Sequence, residues 1–340
     1  MSIKNLSLGF LPRTNTSKYE LLIKCLVFRS DALGSWSRYV KSLIYLSFIL
    51  LSVSCATVLP VSAEAEFPAV YTVIENINPQ WQKYADGVGY FHCRIESPRL
   101  EFWALRVDLS LSNISIVTRS GALNSGSGTL STKVTSFVRD NNLIAGINAL
   151  PFDIISSAEG QPIKNLGIVI SDGVLLSPVN RYYDALVFYR ADERQNNGTI
   201  TKSVVRAAIV SQSSIISAEN IENAVGGFHK ILADGEPAQR TLNNDIRHPR
   251  SAAGVSANGD FLYLLVVDGR RAGSVGSTER ETAAILASLG SHNGINFDGG
   301  GSSALAMRLP DGNVKAVNTP IHFFPGQERA VAGCIGIRVE

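Results

Sequence analysis

Charge, cysteine and histidine are all in short supply in this 340-residue chain. Only 18% of its residues are charged. The formal balance of +2 originates at the N-terminus. Residues 1–63 carry seven Lys or Arg and two Asp or Glu, so the remainder, with 24 basic and 27 acidic residues, is net −3. A body of that charge lacks the basic footprint that nucleic-acid binding requires. Four cysteines are too few for a disulfide framework. Because Cys25 and Cys55 precede residue 64, at most one bridge, Cys93–Cys334, is open to an exported body, the alternative being two thiols on apolar strands. No His-Glu-x-x-His helix, Gly-x-Ser-x-Gly elbow or Walker-type phosphate loop occurs, which sets aside zincins, common serine hydrolases and P-loop enzymes. What is plentiful is apolar character, at 45% of residues, enough to bury a substantial core in one large domain or two small ones.

The N-terminus has the layout of a secretory signal. Arg38 and Lys41 precede an apolar run from Leu43 to Val53, and a small-residue stretch ends at Val61-Ser62-Ala63. Cleavage after Ala63 is expected, with an uncleaved anchor over Leu43–Val61 or a lipid-modified Cys55 as the lesser alternatives. Residues 1–37 precede the basic cluster by more than a signal peptide needs, which places the expected natural start at or just upstream of Val40. The expected organisation is a leader over 1–63, a segment over 64–99 that Trp81 and Tyr84 anchor onto the body, and the main domain over 100–340. The expected location is periplasmic or extracellular, and the membrane enters only through the signal or an uncleaved anchor.

Period-two patterning predicts strands over Val88–Ile95 and Phe102–Leu109, and further strands over Leu143–Asn148, Leu186–Tyr189 and Val204–Val210. A short helix is expected from about Lys133, through Val134, Phe137 and Val138. Asp172-Gly173 and Asp234-Gly235 each follow an apolar run and read as tight hairpin turns. Gly121–Gly128 reads as a loop, and Asn197-Gly198-Thr199 fits a glycosylation triplet. In the last third, an apolar run over Phe261–Val267 ends in Asp268-Gly269-Arg270. A helix over Thr278–Leu289 follows, stopped by Gly290, and then a short strand over Gly294–Phe297 ends in Asp298. Strand, helix, strand at this spacing predicts a crossover unit that sets Asp268 and Asp298 at the carboxyl ends of neighbouring or near-neighbouring parallel strands. The fold class expected is mixed α+β, a mixed β-sheet core carrying this unit. In open α/β sheets that end is where ligands bind.

Three residues without Cβ follow Asp298, and the run Gly299-Gly300-Gly301-Ser302-Ser303 would let backbone amides converge on an anion such as phosphate. Read alone, such a run is a flexible loop between two strands; set behind an apolar strand and an acid, it reads as an anion cradle. Asp268 and Asp298 could serve as the carboxylate pair of glycoside cleavage, one protonating the leaving oxygen and the other attacking or activating water. Either could instead close its own turn, the reading preferred for Asp172 and Asp234. Glu281 stands three residues after Thr278 and fits a capping box, and it is also a second-rank acid facing the same strand ends. Arg250 and Arg270 lie beside that end, and a guanidinium fork suits a phosphodiester. His248 is a candidate proton donor. The sequence requires no cofactor and leaves open a divalent cation beside Asp298.

Several stretches together resemble the phosphodiester glycosidase family. These are Asn148 with Phe152-Asp153, Ala224–Gly227 with Asp234-Gly235, Arg247-His248-Pro249-Arg250-Ser251, Val267–Arg270, Gly276–Glu281, Asn296–Ser303 and Glu328-Arg329-Ala330-Val331. Their order is the family's order, and the resemblance covers about residues 100–340. It implies hydrolysis of the bond between a sugar's anomeric carbon and a phosphodiester oxygen. It also implies a mixed α/β domain with catalytic Asp298, Asp268 and Glu281, and substrate contacts from Asn148, Asp153, Arg250, Arg270, Gly299, Gly300, Gly301 and Ser302. The chain departs from the family pattern at Asn148-Ala149-Leu150-Pro151-Phe152-Asp153. Ala stands there where the family has Gly, and one Phe is missing, so substrate identity is open while reaction type is implied. The alternatives are a non-catalytic exported module that binds phosphate-bearing surface polysaccharide, and an enzyme that modifies exopolysaccharide.

Overall fold

Where both faces of a strand are buried, its sequence cannot alternate, and Phe261–Val267 shows why. In the computed structural model, which describes residues 66–118, 128–194, 200–215, 220–243 and 245–340, this strand lies inside an eight-stranded sheet. Leu262, Leu264 and Val266 join one core cluster, and Tyr263, Leu265 and Val267 join another. The signal segment, Cys25, Cys55, residues 121–127 of the predicted glycine-rich loop and the Asn197–Thr199 triplet lie outside the described residues.

The large sheet separates two layers. On one face, Ala104, Phe102 and Leu265 meet two helices, α1 (Glu66–Glu75) and the helix Glu279–Leu289. The latter buries Ala283, Ile285, Leu286 and Leu289, each aliphatic group contributing about 1.5–3 kcal/mol relative to exposure. On the other face, Leu105, Leu264, Ile295 and Phe297 meet residues of two five-stranded sheets, among them Leu186, Phe188 and Val225 of one and Ile147, Ile335 and Ile337 of the other. A short helix, Val134–Asp140, then closes the outer side of the last sheet through Phe137 and Val138 against Ala306 and Cys334. The fold is therefore mixed α+β, with strands dominant.

The expected crossover forms, in a split arrangement. Phe261–Val267 and Asn293–Asn296 each pair antiparallel with Arg250–Val255, which lies between them. The two outer strands thus run parallel, one strand apart, without bonding to each other. All pairings between the named strands are antiparallel, so the sheets are antiparallel where a mixed core was expected. This register has one consequence for function. Arg250 pairs with Val267, so the amino end of the middle strand meets the carboxyl ends of its two neighbours. Arg250, Asp268 and Asp298 are gathered at one end of the sheet.

Both Asp-Gly turns form as expected, with Asp172 and Gly173 at φ 49° and 77° and Asp234 and Gly235 at 52° and 84°, the left-handed pair that a two-residue hairpin requires. The leading segment makes the following contacts. Tyr84 donates to the carbonyls of Ile144 and Arg308 at 2.8 and 2.6 Å, and Trp81 packs on Phe91 and Tyr263. The Cys93–Cys334 bridge does not form, since Cys93 is a free thiol on Val88–Glu96 of the large sheet while Cys334 sits on Cys334–Val339 of a different one.

Candidate functional site

Asp298 stands two residues past the end of the strand Asn293–Asn296, and its backbone is fixed from both sides. Its amide donates to the Ala149 carbonyl at 2.9 Å, and its carbonyl accepts from Asn148 Nδ2 at 2.6 Å. The side chain lies deep and keeps partial access to solvent. Burial pushes its pKa up to about 6, against the opposing pull of the Ser302 hydroxyl, the Arg329 guanidinium and the Gly299 amide. A carboxyl titrating there can hold or release a proton near neutral pH, as acid–base work requires.

The three glycines after Asp298 have a different use from the one their composition suggests. Four of the run's amides are spent inside the protein. Gly299 donates to the Asp298 carboxylate, Gly300 to the Pro249 carbonyl, Ser302 to Gly299 and Ser303 to Gly300. The run is a short turn, with Gly300 at φ 62°. What the missing side chains leave room for is arginine. A methyl on Gly300 would stand 3.1 Å from Arg270 Nη2, one on Gly301 would collide with the Arg329 guanidinium, and one on Gly299 would press on Pro249 beside Arg250. Two guanidinium groups, of Arg270 and Arg329, thus lie against Gly300 and Gly301, with the Arg250 backbone and Cδ near Gly299.

Arg250 is buried, donates to the Ser277 and Ile246 carbonyls at 3.1 Å each, and stands 3.7 Å from Glu279. Burial lowers its pKa against the opposing pull of Glu279 and Glu281, with Arg270 adding a smaller push down. Burial likewise lowers that of Arg329, where Arg270 opposes and Asp298 supports the charge. Arg270 is exposed, at φ 58°, and reaches His248 Nδ1 at 3.2 Å. Burial, then Arg250 and Arg270, hold His248 below the ordinary imidazole range, so near neutral pH it is uncharged. Within the protein, Glu279 and Glu281 support the charge on Arg250 and Asp298 that on Arg329.

The other acids are occupied. Asp268 is 1% exposed and accepts from Arg271 Nε at 2.7 Å, Asn318 Nδ2 at 3.1 Å and the Thr319 amide at 3.0 Å. Burial raises its pKa, and Asn318 and Arg271 oppose the rise. Arg271 also binds Glu101, so Asp268 belongs to an ionic network that ties the end of Phe261–Val267 to the strand Arg99–Asp108. Glu281 is fully buried and completes the capping box with Thr278, its Oε2 accepting from the Thr278 amide at 2.9 Å while Oε1 binds Arg247. Asn148, also fully buried, accepts from Ser251 Oγ at 2.6 Å and the Ala304 amide at 3.1 Å while donating to Asp298, which makes it a staple under the site. Asp153 is exposed and accepts from the Lys164 amide at 2.9 Å.

Two members of the site were not among the residues singled out from the sequence. Arg329 donates to Ser302 Oγ at 3.1 Å and to His322 Nδ1 at 3.0 Å. The Glu328-Arg329 pair stood in the sequence as one of the matching stretches. Nothing in its spacing told that it returns to the glycine turn. Among the described residues no three His, Cys, Asp or Glu side chains gather to hold a metal ion, and no helix is long and apolar enough to cross a membrane. A cavity lined by Ile116, Phe188, Arg190 and Asn223 contains none of the residues above.

Residues 141–338 match the family described as phosphodiester glycosidase. The chain is 30% identical over 197 residues to an uncharacterised prophage-derived protein of Bacillus subtilis, an alignment that covers 52% of this chain and 30% of that protein, so the match spans under a third of the relative's length. Among solved structures, the catalytic domain of zebrafish N-acetylglucosamine-1-phosphodiester alpha-N-acetylglucosaminidase, auto-inhibited by its pro-peptide, superposes with a TM-score of 0.53 at 20% identity, over 77% of this chain and 88% of that one. A hypothetical protein from Synechocystis superposes with a TM-score of 0.52 at 16% identity, over 78% and 64%. At these identities the two structures show a shared fold.

Proposed function

Because the chain belongs to the phosphodiester glycosidase family, we propose that it hydrolyses the bond between a sugar's anomeric carbon and the oxygen of a phosphodiester in a glycan or glycan precursor. The observation that carries this reading is the packing of Arg250, Arg270 and Arg329 against Gly299–Gly301 beside the elevated carboxyl of Asp298. The arginines hold the phosphodiester. Asp298 as carboxylate takes a proton from the attacking water, whose oxygen bonds to the anomeric carbon while the bond from that carbon to the phosphate oxygen breaks. The phosphate monoester departs with the bonding pair, and the guanidinium groups receive its added charge. An anion so weakly basic leaves without a strong general acid. This suits a site in which Asp268 and Glu281 are engaged in internal bonds. In this reading Asn148, Asp268 and Glu281 position the site.

Residues 1–63 act as the export leader and 64–340 as the exported body, with the segment 64–99 packed on the catalytic domain over 100–340. A second reading, a binding module for phosphate-bearing surface polysaccharide, is favoured by the same engagement of Asp268 and Glu281, which leaves one carboxylate where glycosidases commonly use two. Release of reducing sugar from a panel of sugar-1-phosphodiesters separates them. Turnover that disappears in Asp298→Asn supports the hydrolase, and binding without turnover supports the module.

A further inference from the structure

Histidine 322 is more than nine-tenths buried, at 8% exposure, and its Nε2 atom has no hydrogen-bond partner among the described residues. Its other ring nitrogen, Nδ1, accepts from Arg329 Nε at 3.0 Å. An arginine donates and cannot accept, so Nδ1 is unprotonated and the ring's proton is fixed on Nε2. The tautomer is thus set by the same arginine that donates to Ser302, whose hydroxyl contacts Asp298. His322 is linked to Asp298 through two side chains.

A buried N–H donor left unbonded costs about 1–3 kcal/mol, so this one calls for a partner that the described residues do not supply. The ring cannot turn away without breaking its bond to Arg329, and Phe323 lies against it with ring centroids 3.9 Å apart. A neutral imidazole also avoids adding a fourth charge to Arg250, Arg270 and Arg329. We propose that His322 is a further phosphate-contacting residue of this site, its Nε2–H donating to a non-bridging oxygen of a phosphate group bound by the arginines. The inference rests on the anion-binding reading of the corner. It does not require that the bound phosphodiester be cleaved.

Two substitutions divide the ring's two functions. His322→Asn keeps an acceptor near the position of Nδ1 and places no donor at that of Nε2. His322→Gln carries an amide N–H to the position of Nε2. Inorganic phosphate is titrated into the full chain and both variants by calorimetry, with thermal unfolding recorded on the same samples. Nitrogen-15 spectra of the wild type, which report the histidine tautomer, are collected with and without phosphate. The expected result is an Nε2–H resonance that moves on phosphate addition, phosphate affinity at least about tenfold weaker in His322→Asn, and affinity within about threefold of wild type in His322→Gln. A folded His322→Asn chain with wild-type phosphate affinity, equal losses in both variants, or a wild type that binds no phosphate overturns the proposal. Intact phosphate binding with no turnover of any sugar phosphodiester defeats the hydrolase reading alone.

Discussion

Asn148 and Asp298, 150 positions apart, are joined by a 2.6 Å hydrogen bond from the Asn148 amide to the Asp298 carbonyl. The bond links the end of one sheet to the end of another at the point where the acid must be aimed. Asn148→Ala would leave the Asp298 carbonyl, the Ser251 hydroxyl and the Ala304 amide without this partner. We expect a loss of about 2–4 kcal/mol in unfolding free energy together with a fall in turnover, read by urea denaturation and sugar release. Unchanged stability would remove Asn148 from its role as a staple.

The raised pKa of Asp298 gives a signed prediction. Its folded value, about 6, lies above its ordinary 3.8, so between these the folded state binds more protons than the unfolded one. Stability therefore falls as pH rises from about 4 to about 6, by up to about 3 kcal/mol. Asp298→Asn removes this slope and is more stable than wild type at pH 8, while turnover is lost. In the wild type, turnover rises with pH through about 6 as the base form appears. Parallel pH series of unfolding and of sugar release check both, and a wild-type slope retained in the Asn variant assigns the titration elsewhere.

Asp268 is held by a shared cation instead. Arg271 stands between it and Glu101, two carboxylates that are 1% and 4% exposed. Arg271→Ala removes the cation they share and should cost about 3–5 kcal/mol near neutral pH. The loss should shrink in acid, where the stranded carboxyls take up protons. A thermal-shift series from pH 4 to 8 reads this. Equal destabilisation at both ends would mean that packing, and not charge, is what Arg271 supplies.

These contrasts show what was legible in the sequence. The helix Glu279–Leu289 and its Thr278–Glu281 cap could be read because both signals are local. So could the hairpins at Asp172 and Asp234 and the placement of Asp268 and Asp298 at one end of two parallel strands. The strand Arg250–Val255 lies between them. Its insertion there was not legible, because pairing partners leave no mark on periodicity. For the same reason Asp268 and Asp298 look alike in sequence, each ending an apolar run. Only the partners brought from afar, Asn318 and Thr319 for one and Arg329 for the other, separate a tied carboxylate from an available one.

The glycine turn offers a test of space. Gly300→Ala places a side chain at φ 62° and should cost on the order of 1 kcal/mol in stability, with weaker phosphate binding as Arg270 is pushed aside. Gly301→Ala carries no such backbone penalty and meets the Arg329 guanidinium. We expect nearly wild-type unfolding with reduced phosphate affinity. Calorimetry with phosphate on both variants distinguishes the cases, and full affinity in Gly301→Ala would show that Arg329 is free to move without consequence.

Each of these arginines is seated by an absence on a distant stretch of chain, which makes glycine and arginine parts of one inherited unit. A side chain at Gly301 displaces the Arg329 guanidinium, so a change there is best matched by one at position 329, for example to a shorter cation. An engineer who wishes to reshape this corner must therefore alter volume and charge in the same step.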